Sequence, residues 1–177
     1  TGDYLTIPDS TDWDFGTGAF CLESWVYLGA TSTYYDIFST ASGGDNQGII
    51  FYCDGSAGEI KAKIGDGSSW TVQITSAEDV FTANAWHHVA LVREGTGSNE
   101  LKIYLDGTSV AQGTYADSDA DNNTNLFRVG YWSPSSWYWN GYMDEVRVSN
   151  VARYTTTFTP QRTQFTTDAN TMLLIHS

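Results

Sequence analysis

The residues best suited to contact a ligand are aromatic and crowded together. Positions 131 to 139 read YWSPSSWYW, and Tyr142 follows closely. Ser and Pro break the run, which predicts a loop between two strands and not one long strand. Aromatic rings on loops are costly to leave in water, and each supplies a large, rigid contact area. In sugar-binding proteins such rings stack on the C–H faces of pyranoses. Trp132, Trp137, Tyr138, Trp139 and Tyr142 are therefore the candidate ligand-binding residues. The competing expectation is that some rings turn inward and cap the rim of the core. We expect an even split, with two of Trp132, Trp137, Tyr138 and Trp139 exposed. Tyr34, Tyr35 and Trp70 also lie near turns and extend the same patch.

Catalytic groupings are weaker. Cleavage of a glycosidic bond needs two carboxyl groups facing one bond. Asp144 and Glu145 are adjacent, and on a strand neighbours point to opposite faces, so they are not expected to share a substrate. His87 and His88 split between faces in the same way. That predicts structural roles, one ring packed or hydrogen-bonded inside and the other turned outward. No Gly-x-Ser-x-Gly elbow occurs, and neither Cys21 nor Cys53 has a nearby His to activate it. Asp117, Asp119 and Asp121 alternate along DSDADNNT, a pattern that invites a calcium reading. An EF-hand loop would need Gly and Glu where this chain has Asn122 and Arg128, so a solvated loop is expected. Asn122-Asn123-Thr124 is a glycosylation sequon on the same stretch.

The totals agree with a binding role. The 177 residues suit one domain, and 41% hydrophobic content supplies a core. Charged residues make up only 16%, so most polarity comes from Ser, Thr, Asn, Gln and Gly, which suits β-structure with many turns. Acidic side chains number 21 against 8 basic, a net charge of −13. That surface repels phosphate backbones, so nucleic acid is not an expected partner. No apolar run approaches the length of a membrane-spanning helix. The chain opens on Thr-Gly-Asp-Tyr without Met, as a processed or excised piece would. Cys21 and Cys53 permit one disulfide without demanding it, since buried free thiols are as ordinary in such runs.

Almost every apolar segment is short, β-branched or aromatic, and bounded by Gly, Asp, Asn or Ser. Residues 19–28, 48–53, 59–64, 69–74, 86–93, 101–105, 108–115, 126–131, 142–149 and 171–176 all read as strands. Glu59 to Ile64 alternates charged and apolar residues, the pattern of a half-exposed strand. Gly65-Asp66-Gly67 and Asp106-Gly107 mark hairpin turns. The expected fold is all-β: a two-sheet antiparallel β-sandwich.

Several segments together resemble a known family. DYLTIP at 3–8, Phe20 with Trp25-Val26, WHHVALVR at 86–93, LKIYLDG at 101–107 and GYMDEVRVSNVARY at 141–154 are similar to laminin G-like jelly-roll domains of the concanavalin A-like superfamily. The resemblance runs along nearly the whole chain in the expected order. It implies two curved sheets packed face to face. It also implies a non-enzymatic adhesion or carbohydrate-binding role in an extracellular or virion-surface protein, with a glycan or glycoprotein surface as partner and no membrane insertion. Glucanases on this fold use a pattern like E-x-D-x-x-E, which is missing here. Such domains often hold one structural Ca²⁺ where the Gly-Asp-Tyr segment meets the Asp-Glu strand. The matching positions are Asp3 and Asp144, with further oxygens needed to complete the shell. Family members also begin with an apolar strand resembling LLLHFDG. This chain instead has MLLIH at 172–176, near its end. Either that strand closes its own sandwich, which we expect, or a neighbouring copy takes it. The second option predicts self-association into an extracellular fibre or phage appendage.

Overall fold

The computed structural model describes residues 2–41, 46–117 and 124–177. Fourteen strands are present among them. The first seven are β1 (Leu5–Ile7), β2 (Phe20–Leu28), β3 (Tyr34–Ser39), β4 (Gln47–Asp54), β5 (Glu59–Asp66), β6 (Trp70–Thr75) and β7 (Trp86–Arg93). Then come β8 (Leu101–Leu105), β9 (Thr108–Gly113), β10 (Phe127–Val129), β11 (Tyr131–Trp132), β12 (Trp137–Tyr138), β13 (Gly141–Ser149) and β14 (Thr171–Ile175). A single 3-10 turn, Ser133–Ser135, is the only helical element among the described residues.

Two six-stranded antiparallel sheets form the sandwich. The first runs β1-β10-β3-β4-β5-β6 and the second β14-β13-β2-β7-β8-β9, with β11-β12 a separate short hairpin. The expected all-β sandwich is the fold. β14 pairs with β13 of its own chain, Val146 opposite Ile175 and Val148 opposite Leu173. The Asp106-Gly107 turn forms where the sequence marks it, whereas Gly65 and Asp66 still belong to β5 and the chain turns from Gly67 to Ser69. Between β8 and β9, Asp106 and Gly107 both take positive φ, 49° and 82°, as a two-residue turn that matches the strand twist requires. Gly107 is needed twice over, because a Cβ there would meet the Phe158 carbonyl oxygen at 1.8 Å.

Alternation decides which side chains enter the core. In β5, Ile60, Ala62 and Ile64 point inward and Glu59, Lys61 and Lys63 outward. Leu22, Val26 and Leu28 of β2, Val89 and Leu91 of β7, and Ile49 and Phe51 of β4 meet them between the sheets. Each such fully buried side chain contributes ~1.5–3 kcal/mol.

β2 and β7 break the half-exposed pattern, because both of their faces are covered. Residues 150–168 fold back over the outer face of the second sheet. Ala152, Tyr154 and Phe158 cover Cys21, Ala90, Val92 and Tyr104. A buried polar cluster pins this strap. Glu23 is fully buried and accepts from His88 Nε2 at 3.0 Å, Arg147 Nε at 2.8 Å and the Tyr154 hydroxyl at 2.7 Å. Burial alone would raise the Glu23 carboxyl, but the bonds from His88 and Arg147 hold it below its ordinary value.

The histidine pair does split between faces, but not as the sequence suggested. His88 is buried beneath the strap, outside the space between the sheets. His87 is half-buried and bonds Asp106 at 2.7 Å and the Thr82 hydroxyl at 3.0 Å. Cys21 and Cys53 are both free and buried, on different sheets. Of the alternating acids, Asp119 and Asp121 lie outside the described residues, as do Asn122 and Asn123 of the sequon. Asp117 accepts a bond from Arg93 through its backbone carbonyl, at 3.1 Å.

Candidate functional site

The strap stops short of one end of the second sheet, and that end is aromatic. Odd-numbered residues of β2 face outward, so Glu23, Trp25 and Tyr27 share a face. Tyr27 sits opposite Tyr142 on β13 and opposite Trp86 on β7. Its ring lies 5.8 Å from Tyr142 and 5.9 Å from Trp86, tilted by 56° and 58°. Three rings thus form a row across three adjacent strands. Tyr142 is 69% exposed and Trp86 47%. Beside the row opens a cleft of about 370 Å³, lined by Trp25, Trp86, Asp144, Glu145, Arg162, Thr163 and Gln164. The last three come from the strap. Trp25 is locked in place as its indole N–H donates to the Gln161 carbonyl at 2.9 Å.

A bulge in β13 brings both carboxylates to this cleft. Asp144 pairs with Trp25 and Arg147 with Glu23, so Glu145 and Val146 together oppose Ser24 alone. Glu145 takes φ 55°, a left-handed conformation that costs a non-glycine residue about 1–2 kcal/mol. The expectation that Asp144 and Glu145 face opposite ways is thereby overturned. The extra residue shifts the alternation, and both line the same cleft. Their oxygens are largely engaged, however. Glu145 accepts from the Phe165 backbone N–H at 2.6 Å and pairs with His176 Nδ1 at 2.8 Å. One oxygen of Asp144 accepts the N–H groups of Glu145 and Ser177, at 2.8 and 3.0 Å. Arg162 is exposed and has no ion pair among the described residues. The cleft therefore offers aromatic walls with a free guanidinium and amide and hydroxyl groups at its rim.

The aromatic residues singled out from sequence divide three ways. Tyr142 joins the row on the second sheet. Trp132, Trp137 and Tyr138 belong to the β11-β12 hairpin, where Trp132 and Trp137 are half-buried against Ala41, Ile50 and Tyr52 on the outer face of the first sheet. Tyr138 stacks on Tyr131 at 4.6 Å. Trp139 is a correction: it is a core residue, 6% exposed. Its ring packs edge-on to Tyr35 and Phe81, and its indole N–H bonds the carbonyls of Tyr27 and Tyr142. It is not available to a ligand. Of the flanking residues, Tyr34 meets Trp137 at 4.7 Å while Tyr35 is buried. Trp25, Tyr27 and Trp86 were not singled out, although the period of β2 marks the first two as sharing a face.

The two residues expected to share a calcium ion line different pockets. Asp3 lines a separate apolar pocket with Tyr4, Leu5, Trp139 and Met143, and Asp144 lines the cleft. Among the described residues no group of three or more His, Cys, Asp or Glu side chains could hold a metal.

Residues 1–157 match the family model described as the concanavalin A-like lectin/glucanases superfamily. The chain belongs to this family, in its laminin G-like branch. No curated protein sequence matches it. Solved structures share its fold at low identity. A Bacteroides ovatus protein proposed to bind carbohydrate superimposes with a TM-score of 0.69 at 17% identity. That match covers 98% of this chain and 48% of the other, so the chain spans about half the length of that relative. Domains LG4-5 of the mouse laminin α1 chain give 0.58 at 14% identity, over 88% of this chain and 43% of that one. The CBM40 domain of a Ruminococcus gnavus sialidase, bound to α2,3-sialyllactose, gives 0.58 at 12% identity, over 78% and 86%.

Proposed function

We propose that this chain is a non-enzymatic carbohydrate-binding module, and that the aromatic end of the second sheet is its site. The observation that supports this most is the Tyr142-Tyr27-Trp86 row beside the cleft. Sugars present flat C–H faces ringed by hydroxyls. A row of rings, exposed at its two ends, meets the faces, and Arg162, Gln164 and Thr163 meet the hydroxyls. The solved structures with similar folds include a domain bound to a sialylated sugar, which supports the ligand class. On this reading the module works outside the cell or on a virion surface, a setting that an acidic surface suits.

Two other readings are weighed by specific observations. Hydrolysis gains from Asp144 and Glu145 lining one cleft, but hydrogen bonds already hold the Glu145 carboxylate on both oxygens, which weighs against a catalytic acid. Assembly by strand exchange draws on β14, an edge strand with half-buried side chains. Its ladder with β13 of the same chain supports self-completion instead. Light scattering distinguishes these, since exchange makes the mass rise with concentration.

The test of the main reading is a glycan array probed with the wild-type chain and with Trp25→Ala/Trp86→Ala. Binding that disappears in the folded double variant supports the cleft. Binding that survives unchanged puts the site elsewhere.

A further inference from the structure

The β11-β12 hairpin lies over the outer face of the first sheet, on the opposite layer from the cleft. Beneath it sits a carboxylate with nothing to hold. Asp36, in the middle of β3, is fully buried, and neither of its carboxylate oxygens has a hydrogen-bond partner among the described residues. Burial pushes its carboxyl well above the usual range, against a weaker pull from the Ser39 hydroxyl and the Arg128 guanidinium. The Ser39 proton is committed elsewhere, donated to the Tyr131 carbonyl at 2.9 Å. On the hairpin, the Trp132 indole N–H is likewise buried and unpartnered among the described residues. The two orphans are linked through a short chain of contacts. Asp36 pairs across the ladder with Tyr52, the Tyr52 ring meets Trp137 at 5.1 Å, and Trp137 meets Trp132 at 4.5 Å.

Buried polar groups are nearly always satisfied, so an orphan acceptor and an orphan donor on one covered face ask for a common partner. Their chemistry narrows it. A cation would satisfy Asp36 and leave the indole N–H unmet. An anion would satisfy the indole and be repelled by Asp36. A hydroxyl group donates and accepts at once, and serves both. The hairpin is held by only two paired positions, Tyr131 with Tyr138 and Trp132 with Trp137. Its base is fixed by buried Trp139, whose backbone N–H donates to the carbonyl of Gly130, a residue at φ 77°.

We propose that hairpin 131–138 is a lid over a second ligand site, which takes a hydroxyl-bearing sugar ring. Its hydroxyls donate to Asp36 and accept from Trp132 Nε1, while the Trp132 and Trp137 rings wall it. This site is independent of the cleft, and together the two make the module bivalent.

The test follows the seven indole N–H signals of the ¹⁵N-labelled chain during separate titrations with glucose, galactose, mannose and N-acetylglucosamine. The Trp132 signal is expected to shift and saturate with at least one of them. Asp36→Leu is expected to abolish that shift and leave the Trp25 and Trp86 responses of the cleft intact. Trp132→Phe keeps a ring but loses the donor, and should weaken affinity, read at Trp137, about fivefold. A Trp132 signal unmoved by all four sugars overturns the proposal, and means that a bound water alone satisfies the orphans. So does a Trp132 shift that survives Asp36→Leu. Silence at Trp25 and Trp86 is a separate outcome, and counts against the cleft alone.

Discussion

Trp86→Ala isolates the contribution of one ring in the row. Trp86 is 47% exposed, so roughly half of the 150–250 Å² that a tryptophan can bury is free for a ligand, about 100 Å². At ~25 cal/mol per Å² this amounts to about 2.5 kcal/mol, or roughly a seventyfold rise in Kd. The fold loses less. The ring touches Tyr27 at 5.9 Å and is otherwise half wet, so truncation should cost well below the ~3–5 kcal/mol of a core tryptophan. The assay is titration calorimetry with the glycan selected on the array, beside a thermal melt of each protein. Weakened binding with a nearly unchanged melt is expected. A folded Trp86→Ala chain that binds as tightly as wild type would refute the assignment of the row.

Three further outcomes are expected. Trp139→Ala removes a core ring and strands two carbonyls, so its melting temperature should fall by about 10 °C or more in calorimetry. Lowered carboxyls such as Glu23 add stability above their unfolded-chain pKa and lose it as pH falls through the folded value. The melting temperature should therefore drop below pH ~4–5. Glu23→Gln should flatten that acid limb, while costing about 3 kcal/mol at neutral pH by leaving Arg147 without its buried partner. An acid limb as steep as that of wild type would contradict this. Burial pushes the Cys53 thiol up to about 12 and the Cys21 thiol well above its ordinary range. Both should resist Ellman's reagent until the chain unfolds, and a reductant should leave the melt unchanged.

The layers of the sandwich were legible because alternation is a local property. Ile60, Ala62 and Ile64 announce their own strand, and Asp106-Gly107 announces its turn. The strap was not legible. Ala152, Tyr154 and Phe158 show no period, and their role depends on Glu23, more than a hundred residues away, accepting the Tyr154 hydroxyl. The same non-locality misled the reading of the aromatic run. On a regular strand Trp137 and Trp139, two apart, would share a face, but β12 ends at Tyr138, and Trp137 packs on the outside of the first sheet while Trp139 enters the core. The bulge left a trace that was missed. Inward Met143 and Val146 stand three apart where a regular strand would keep them two apart, and the extra residue carries Glu145 into the cleft.

The most direct measurement is a crystal structure of the chain with the array-selected sugar bound. A pyranose face resting on the Tyr142-Tyr27-Trp86 row, with its hydroxyls reaching Arg162 or Gln164, is the expected result. A sugar seated away from those rings, with the cleft holding only solvent, would contradict the account.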